Sequence, residues 1–111
     1  SKPSFRLWSM QVRIQQVSDV GRAVLAVRKA SGVRQDDAAG SAGVSHVFLR
    51  ELERGKETVQ FGRVLQVLQE LGIQMVLEIP SEARARFEAL KAETVPGRSR
   101  RQSSTDTPEA P

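Results

Sequence analysis

The side chains that could perform chemistry are concentrated between Gln35 and Lys56. This stretch holds His46, the single histidine of the chain, and the chain has no cysteine. The absence of cysteine excludes thiol catalysis and thiolate metal sites, and one imidazole alone is not a metal-ligand set. Asp36 and Asp37 are adjacent at a predicted helix start, so their carboxylates diverge around the helix axis. With no glycine-rich phosphate loop either, the inventory predicts no enzyme, no cofactor and no metal.

The charge balance of the whole chain is compatible with a binding role instead. Lys and Arg outnumber Asp and Glu by 17 to 13, which gives a formal net charge of +4. This mild excess is compatible with a polyanionic partner and does not require one. No apolar run approaches the roughly 18 residues of a membrane span. We therefore expect no membrane partner.

Apolar periodicity, caps and glycines predict the elements that position these side chains. A helix with valines at helical spacing opens at the cap Ser18 and ends at Gly32. Two short helices follow at about 35–42 and 46–54, and a fourth is expected from about 58 to 71. The predicted fold is mainly α.

Two short segments alternate polar and apolar residues, as half-buried strands do. One spans 11–16 and the other 73–79. A strand with an apolar face and free edges is a liability in a monomer, and pairing with a second copy removes it. We expect a homodimer whose interface uses the odd-numbered apolar residues of the second strand: Ile73, Met75, Leu77 and Ile79.

The stretch 35–55 is predicted to form two short helices joined by a tight turn. Ala39 lies where the two helices approach closely, and Gly43 supplies the turn. The core is expected to receive Val44, Leu49 and Leu52. This is the helix-turn-helix arrangement, in which the second helix lies in the major groove of DNA.

At these positions the chain resembles the Cro/repressor, or Xre-type, helix-turn-helix regulators. The resemblance covers about 18–73, and Ala38 and Gly40 depart from it, because a larger Leu and a better helix former are usual there. The matching residues are Gln35, Ala39, Gly43, Val44, Ser45, Leu49, Leu52, Glu53, Arg54, Gly55, Lys56, Leu65, Leu68, Leu71 and Gly72. It implies a repressor-like domain of four or five helices.

The resemblance also implies roles for single residues. Base edges would be read by the exposed side of the second helix: His46, Val47, Arg50 and Glu51. In these roles His46 donates to a base or phosphate, Val47 meets a thymine methyl, Arg50 suits guanine or phosphate, and Glu51 suits a cytosine amino group. Phosphates would be contacted by Gln35, Ser45, Arg54 and Lys56.

A narrower resemblance is to the HipB-like antitoxins, in which a strand after the last domain helix pairs across a dimer axis. The segment 68–75 is similar to that part of the HipB-like proteins. A short N-terminal strand before the first helix is a possible second point of similarity. This resemblance implies a bacterial, cytoplasmic repressor of its own operon. Such a repressor would bind a palindromic operator and neutralise a HipA-like serine/threonine kinase toxin. A stand-alone Xre repressor and a protein-interaction adaptor without specific DNA binding remain alternatives.

Three parts are expected along the chain. Residues 1–10 form a leader, residues 11–79 a DNA-binding and dimerisation domain, and residues 80–111 a short helix and a tail. The helix would carry an apolar stripe of Ala83, Phe87 and Leu90. The tail beyond Val95 is too poor in apolar residues to order itself.

Overall fold

The computed structural model of the chain describes residues 9–93. The predicted tail and most of the predicted leader lie outside the described residues. Within them the chain is helical, with five α-helices and one 3-10 turn. The helices are α1 (Val17–Ser31), α2 (Gln35–Ala42), α3 (His46–Glu53), α4 (Phe61–Glu70) and α5 (Arg84–Glu93), and the 3-10 turn is Ser81–Ala83. The predicted mainly α architecture is confirmed.

The described residues divide into two compact units, one that ends at Met75 and one that begins at Val76. The first contains α1 to α4 and the whole helix-turn-helix. The second contains the 3-10 turn and α5, which carry no buried residue. The predicted domain boundary after Ile79 stays a prediction.

Aliphatic side chains form the core of the first unit. Its centre consists of Val24, Leu49, Leu52 and Val67, all less than 2% exposed. Helix α3 packs against α1 and α2, and α2 also packs against α4. Ala38 and Ala39 are buried on α2, so small side chains there allow its neighbours to lie close. The predicted core positions Val44, Leu49 and Leu52 are confirmed.

One glycine fixes the distance between α1 and α3. Gly21 is buried in α1, and a Cβ atom on it would collide with the carbonyl oxygen of Leu52 and lie 3.2 Å from that of Glu53. The backbone of α1 therefore touches the backbone of α3 directly. This contact sets how deeply α3 is seated, and hence how far its opposite face projects.

Two helix starts differ from those predicted. Helix α1 begins at Val17, so Ser18 lies inside its first turn and not at its cap. Asp19 Oδ2 instead accepts from the backbone N–H of Gln15 (2.9 Å) and Gln16 (3.2 Å). Helix α4 begins at Phe61 instead of near 58, because residues 57–58 form a turn and the N-cap Gln60 has extended backbone. Between them the half-buried Val59 packs against the core.

The two expected strands do not form within the described chain. Residues 11–16 and 73–79 carry no strand structure among residues 9–93. A strand exists only through ladder hydrogen bonds to a neighbour, and neither segment finds one in a single copy. Ile73 packs partly on the core, whereas Met75, Leu77 and Ile79 are exposed.

Candidate nucleic-acid interface

The turn between α2 and α3 is built from local hydrogen bonds. Gly43 has φ 77°, the left-handed conformation that ends α2, and Val44 N–H donates to Ala39 O at 3.0 Å. Ser45 then caps α3, because its Oγ accepts from Phe48 N–H at 2.9 Å. These contacts confirm the predicted helix–turn–helix.

Helix α3 has two sharply different faces. Leu49, Leu52 and Glu53 are buried on one of them. On the other, Val47 is 48% exposed, and the remaining members are half-exposed or exposed. This outer face consists of Val47, Arg50 and Glu51 on the helix and Arg54 at its C-cap, at positions i, i+3, i+4 and i+7. Arg54, predicted to contact phosphate, thus shares a face with three predicted base-reading residues.

A buried ion pair anchors the inner face of α3 to α1. Arg28 Nε lies 2.7 Å from Glu53 Oε2, and Arg28 Nη2 lies 2.9 Å from Glu53 Oε1. The third nitrogen, Nη1, donates to the carbonyl of Val33 at 3.0 Å. The hydrogen bonds that Arg28 donates to the Glu53 carboxylate raise the pKa of the Arg28 guanidinium. Glu53, one of the residues that carry the family resemblance, is thus a structural partner of an arginine.

The ion pair continues into a chain of side chains that reaches the surface. Gln35 Nε2 donates to Glu53 Oε1 at 2.7 Å, and Gln35 Oε1 lies 2.7 Å from His46 Nε2. Gln35, predicted to contact phosphate, and His46, predicted to read bases, are therefore bonded to each other. His46 sits at the edge of the outer face, on the side nearer Glu53.

Two further ion pairs lie on the surface of the first unit. Lys56 Nζ lies 3.3 Å from Glu51 Oε1, which joins a predicted phosphate contact to a predicted base contact. Arg34 Nε and Nη2 contact the two carboxylate oxygens of Asp36 at 3.2 and 3.1 Å. The Arg34 guanidinium lowers the pKa of the Asp36 carboxyl.

Arg34 is the residue of this region that the sequence reasoning missed. It occupies the N-cap position of α2, at the end of the helix where Gln35 was placed against phosphate. An arginine directly before a helix start was the available signal.

No protein-family model matches the chain. An uncharacterized HTH-type transcriptional regulator from Sinorhizobium fredii, y4mF, is 48% identical over 75 residues. The match spans 68% of this chain and 99% of that relative. The chain belongs to the HTH-type transcriptional regulators.

Solved structures of HipB share the fold of this regulator. A complex of a HipB variant with an O2 20mer superposes with a TM-score of 0.58 at 22% identity, over 66% of this chain and all of that chain. HipB in a HipA–HipB–O2–O3 complex gives 0.58 at 20% identity, over 64% of this chain and all of that chain. The fold expected from the Xre and HipB resemblance is thereby confirmed.

In this HTH regulator the remaining predicted contacts lie at both ends of α3. Ser45 is exposed at its N-terminus, and Lys56 is exposed just beyond its C-terminus. Residues 9–93 contain no group of three or more His, Cys, Asp or Glu placed to hold a metal ion. None of the described helices is both long and apolar enough to cross a membrane.

Proposed function

We propose that this regulator is a sequence-specific DNA-binding repressor that reads its operator with the outer face of α3. One observation carries the proposal. Val47, Arg50, Glu51 and Arg54 line one exposed face of a helix whose opposite face is fixed by packing and by the Arg28–Glu53 pair. A rigidly seated helix with a charged outer face has the form that the major groove accepts.

Phosphate contacts would flank this helix and orient it. Ser45 lies at the first turn of α3, where its hydroxyl hydrogen can donate while the oxygen caps the helix. Arg54 and Lys56 lie at the other end. Gln35 begins α2, whose N-terminal N–H groups favour an anion. Such contacts position the protein without reading sequence.

Base preference and salt dependence test this proposal together. Selection from randomised duplexes should enrich a palindromic site, and its affinity should fall steeply with salt. Arg50→Ala should lower discrimination at one position per half-site by about 1–3 kcal/mol. Lys56→Ala should weaken all sequences alike and reduce the salt slope by about one unit.

The matched control is Gln69→Ala, at an exposed position on α4. It should change neither the base preference nor the salt dependence of the affinity. A wild-type chain that enriches no sequence, or an Arg50→Ala chain with an unchanged preference, contradicts the proposal.

The repressor is proposed to act as a homodimer. Met75, Leu77 and Ile79 are 39%, 81% and 48% exposed, and pairing the 73–79 segments would cover them. A lone two-stranded pairing is marginal, so a dimer needs further apolar surface, and in the first unit Phe61 and Leu65 are exposed one turn apart on α4. An isologous dimer would set two α3 helices about 34 Å apart.

The alternation of the segment provides a matched test of the dimer. Met75→Asp and Leu77→Asp place a charge on the proposed interface and should yield monomers that lose operator binding. Val76→Asp changes an equally apolar, 73% exposed neighbour on the other side of a strand, and should leave a dimer. Sedimentation at micromolar concentration measures the outcome, and a wild-type monomer there refutes the dimer.

A second proposed role is that of an antitoxin for a HipA-like kinase. It is supported by the HipB neighbour, which occurs in a HipA–HipB–O2–O3 complex. In the second unit, Phe87 and Leu90 on α5 are 50% and 53% exposed at helical spacing, and we propose that this side of the helix contacts the partner.

Co-expression with the product of the adjacent gene tests this role. A stable complex and relief of toxicity are expected, and Phe87→Asp should weaken the complex without altering operator affinity. Should nothing co-purify while the operator is still bound, the chain is a stand-alone repressor. A complex without any specific DNA binding makes it an adaptor.

A further inference from the structure

The contacts of Gln35 identify which ring nitrogen of His46 carries the proton. Glu53 is paired with Arg28 by two hydrogen bonds, so its carboxylate is ionised and can only accept. The Gln35 atom 2.7 Å from Glu53 Oε1 must therefore be the amide nitrogen. The other end of that amide is a carbonyl oxygen, which can only accept. His46 Nε2, at 2.7 Å from it, must be the donor.

The other ring nitrogen of His46, Nδ1, can accept a hydrogen bond from a ligand. A neutral imidazole has one N–H and one acceptor nitrogen, so with its proton on Nε2 it offers Nδ1 as an acceptor. Gln35 is the hydrogen-bond partner of His46 among the residues the structure describes, and the His46 side chain is exposed. The sequence led us to expect that His46 donates to a base or phosphate. In the neutral ring, however, the one N–H already donates to Gln35.

We propose that Gln35 is a positioning residue that holds His46 as the Nε2–H tautomer, so that Nδ1 accepts from the exocyclic amino group of adenine or cytosine. This rests on the proposed DNA-binding function. In the major groove those amino groups are the donors, whereas guanine N7 and O6 and thymine O4 are acceptors. A neutral His46 held in this way favours an amino group and disfavours a carbonyl oxygen at the same place.

The anchoring of Gln35 explains why the tautomer is fixed in the free protein. Its amide bonds a carboxylate whose side chain is 4% exposed and which is held by a buried guanidinium. A flip of the amide would place its oxygen against the Glu53 carboxylate and its nitrogen against a ring N–H. Both contacts would become repulsive, so the orientation is set before DNA arrives.

The first test is imidazole NMR of the full chain at pH 8, which needs no assignment because the chain has one histidine. The ring should show a protonated Nε2 whose hydrogen exchanges slowly with water, and a bare Nδ1. In Gln35→Ala the Nε2–H signal should be lost to exchange. Gln66→Ala removes another bridging amide, the bond to Ala42 O at 3.3 Å, and should leave the signal intact. A proton on Nδ1, or equal exchange in wild type and Gln35→Ala, overturns the assignment.

The second test asks which base atom His46 contacts. Comparing sites selected by wild type and His46→Ala at pH 8 locates the base pair that depends on His46. Removing the exocyclic amino group there, with purine for adenine or 2-pyrimidinone for cytosine, should weaken wild-type binding about 5- to 100-fold. It should weaken His46→Ala far less, and Gln35→Ala should lie between the two.

The matched analogue at that base pair is a 7-deazapurine, which removes an acceptor and should have no His46-dependent effect. The opposite pattern, with loss from the 7-deazapurine and none from amino removal, overturns the acceptor role. If wild type selects no sequence, the proposed function fails together with this contact. The NMR result still decides the tautomer by itself, so the two failures are distinguishable.

Discussion

Glu51 and Glu53 are two residues apart on α3, and each holds a cation in a different environment. The side chains of the Arg28–Glu53 pair are 10% and 4% exposed, and they meet through two hydrogen bonds at 2.7 and 2.9 Å. Those of the Lys56–Glu51 pair are 50% and 37% exposed and meet at one distance of 3.3 Å. The first pair joins two helices, whereas the second links α3 to the residues just after it.

Burial gives the two pairs different uses. A buried charge that loses its partner has no water to replace it, so the Arg28–Glu53 pair is a fixed part of the fold. An exposed pair is screened and contributes at most about 1 kcal/mol. The Lys56–Glu51 pair can therefore separate at little cost in free energy. Lys56 is then free to bind a phosphate, and Glu51 is free to bind a base. The same helix is fixed on one side and adaptable on the other.

The largest effect is expected from removing one member of the buried pair. Glu53→Leu leaves the Arg28 guanidinium buried without its carboxylate, and the free energy of unfolding should fall by about 3–5 kcal/mol. Urea unfolding measures it. The double variant Arg28→Met/Glu53→Leu replaces the pair with apolar groups and should recover most of the loss. A single variant that loses less than about 1 kcal/mol would show that the pair is not structural.

A smaller loss is expected where α1 touches the buried side of α3. In Gly21→Ala the added methyl meets the Leu52 carbonyl, and moving α3 outward should cost about 1–3 kcal/mol. Operator affinity should fall as well, because the outer face moves with the helix. Gly62→Ala adds a methyl in open space on α4 and serves as the control. Equal stability of the two variants would refute the close contact.

A substitution on the exposed side of α2 should stabilise the protein. Gly40 lies inside α2, and nothing comes within 4 Å of the position that an added methyl group would take. Gly40→Ala should raise the free energy of unfolding by about 0.5–1 kcal/mol, because alanine is the better helix former. Thermal unfolding gives the value. A loss of stability would mean that the surface of α2 is less open than its surroundings indicate.

The smallest stability effect is expected from the exposed pair. Glu51→Gln should change the free energy of unfolding by less than about 0.5 kcal/mol. It should nevertheless strengthen binding to non-operator duplex at low salt, because Lys56 is then free for phosphate. Anisotropy titration with a scrambled duplex measures this. Weaker non-operator binding would show that Glu51 does not restrain Lys56.

The sequence predicted what depends on local pattern. Glycines and caps placed α2, the turn and α3, and apolar periodicity placed Leu49 and Leu52 in the core. The Gly21 contact and the hydrogen bonds among Gln35, His46 and Glu53 join residues that are far apart along the chain. Their spacing follows no periodic rule, so only the packed fold brings them together.

The 73–79 segment shows the other limit of sequence reasoning. Its alternation is a strand pattern, but the hydrogen-bonding partner that would make it a strand is not within one described copy. The pattern therefore predicts an assembly, and the dimer variants at Met75, Leu77 and Val76 test it.

The central claim is that the outer face of α3 enters the major groove of an operator. Because the chain has no cysteine, Val47→Cys can carry a DNA-cleaving iron chelate at one place, with Gln69→Cys on α4 as the matched control. We predict cleavage from position 47 in two clusters about 10 base pairs apart on the selected operator, and none from position 69. Equal cleavage from both positions, or none from position 47 on a bound operator, would contradict the account.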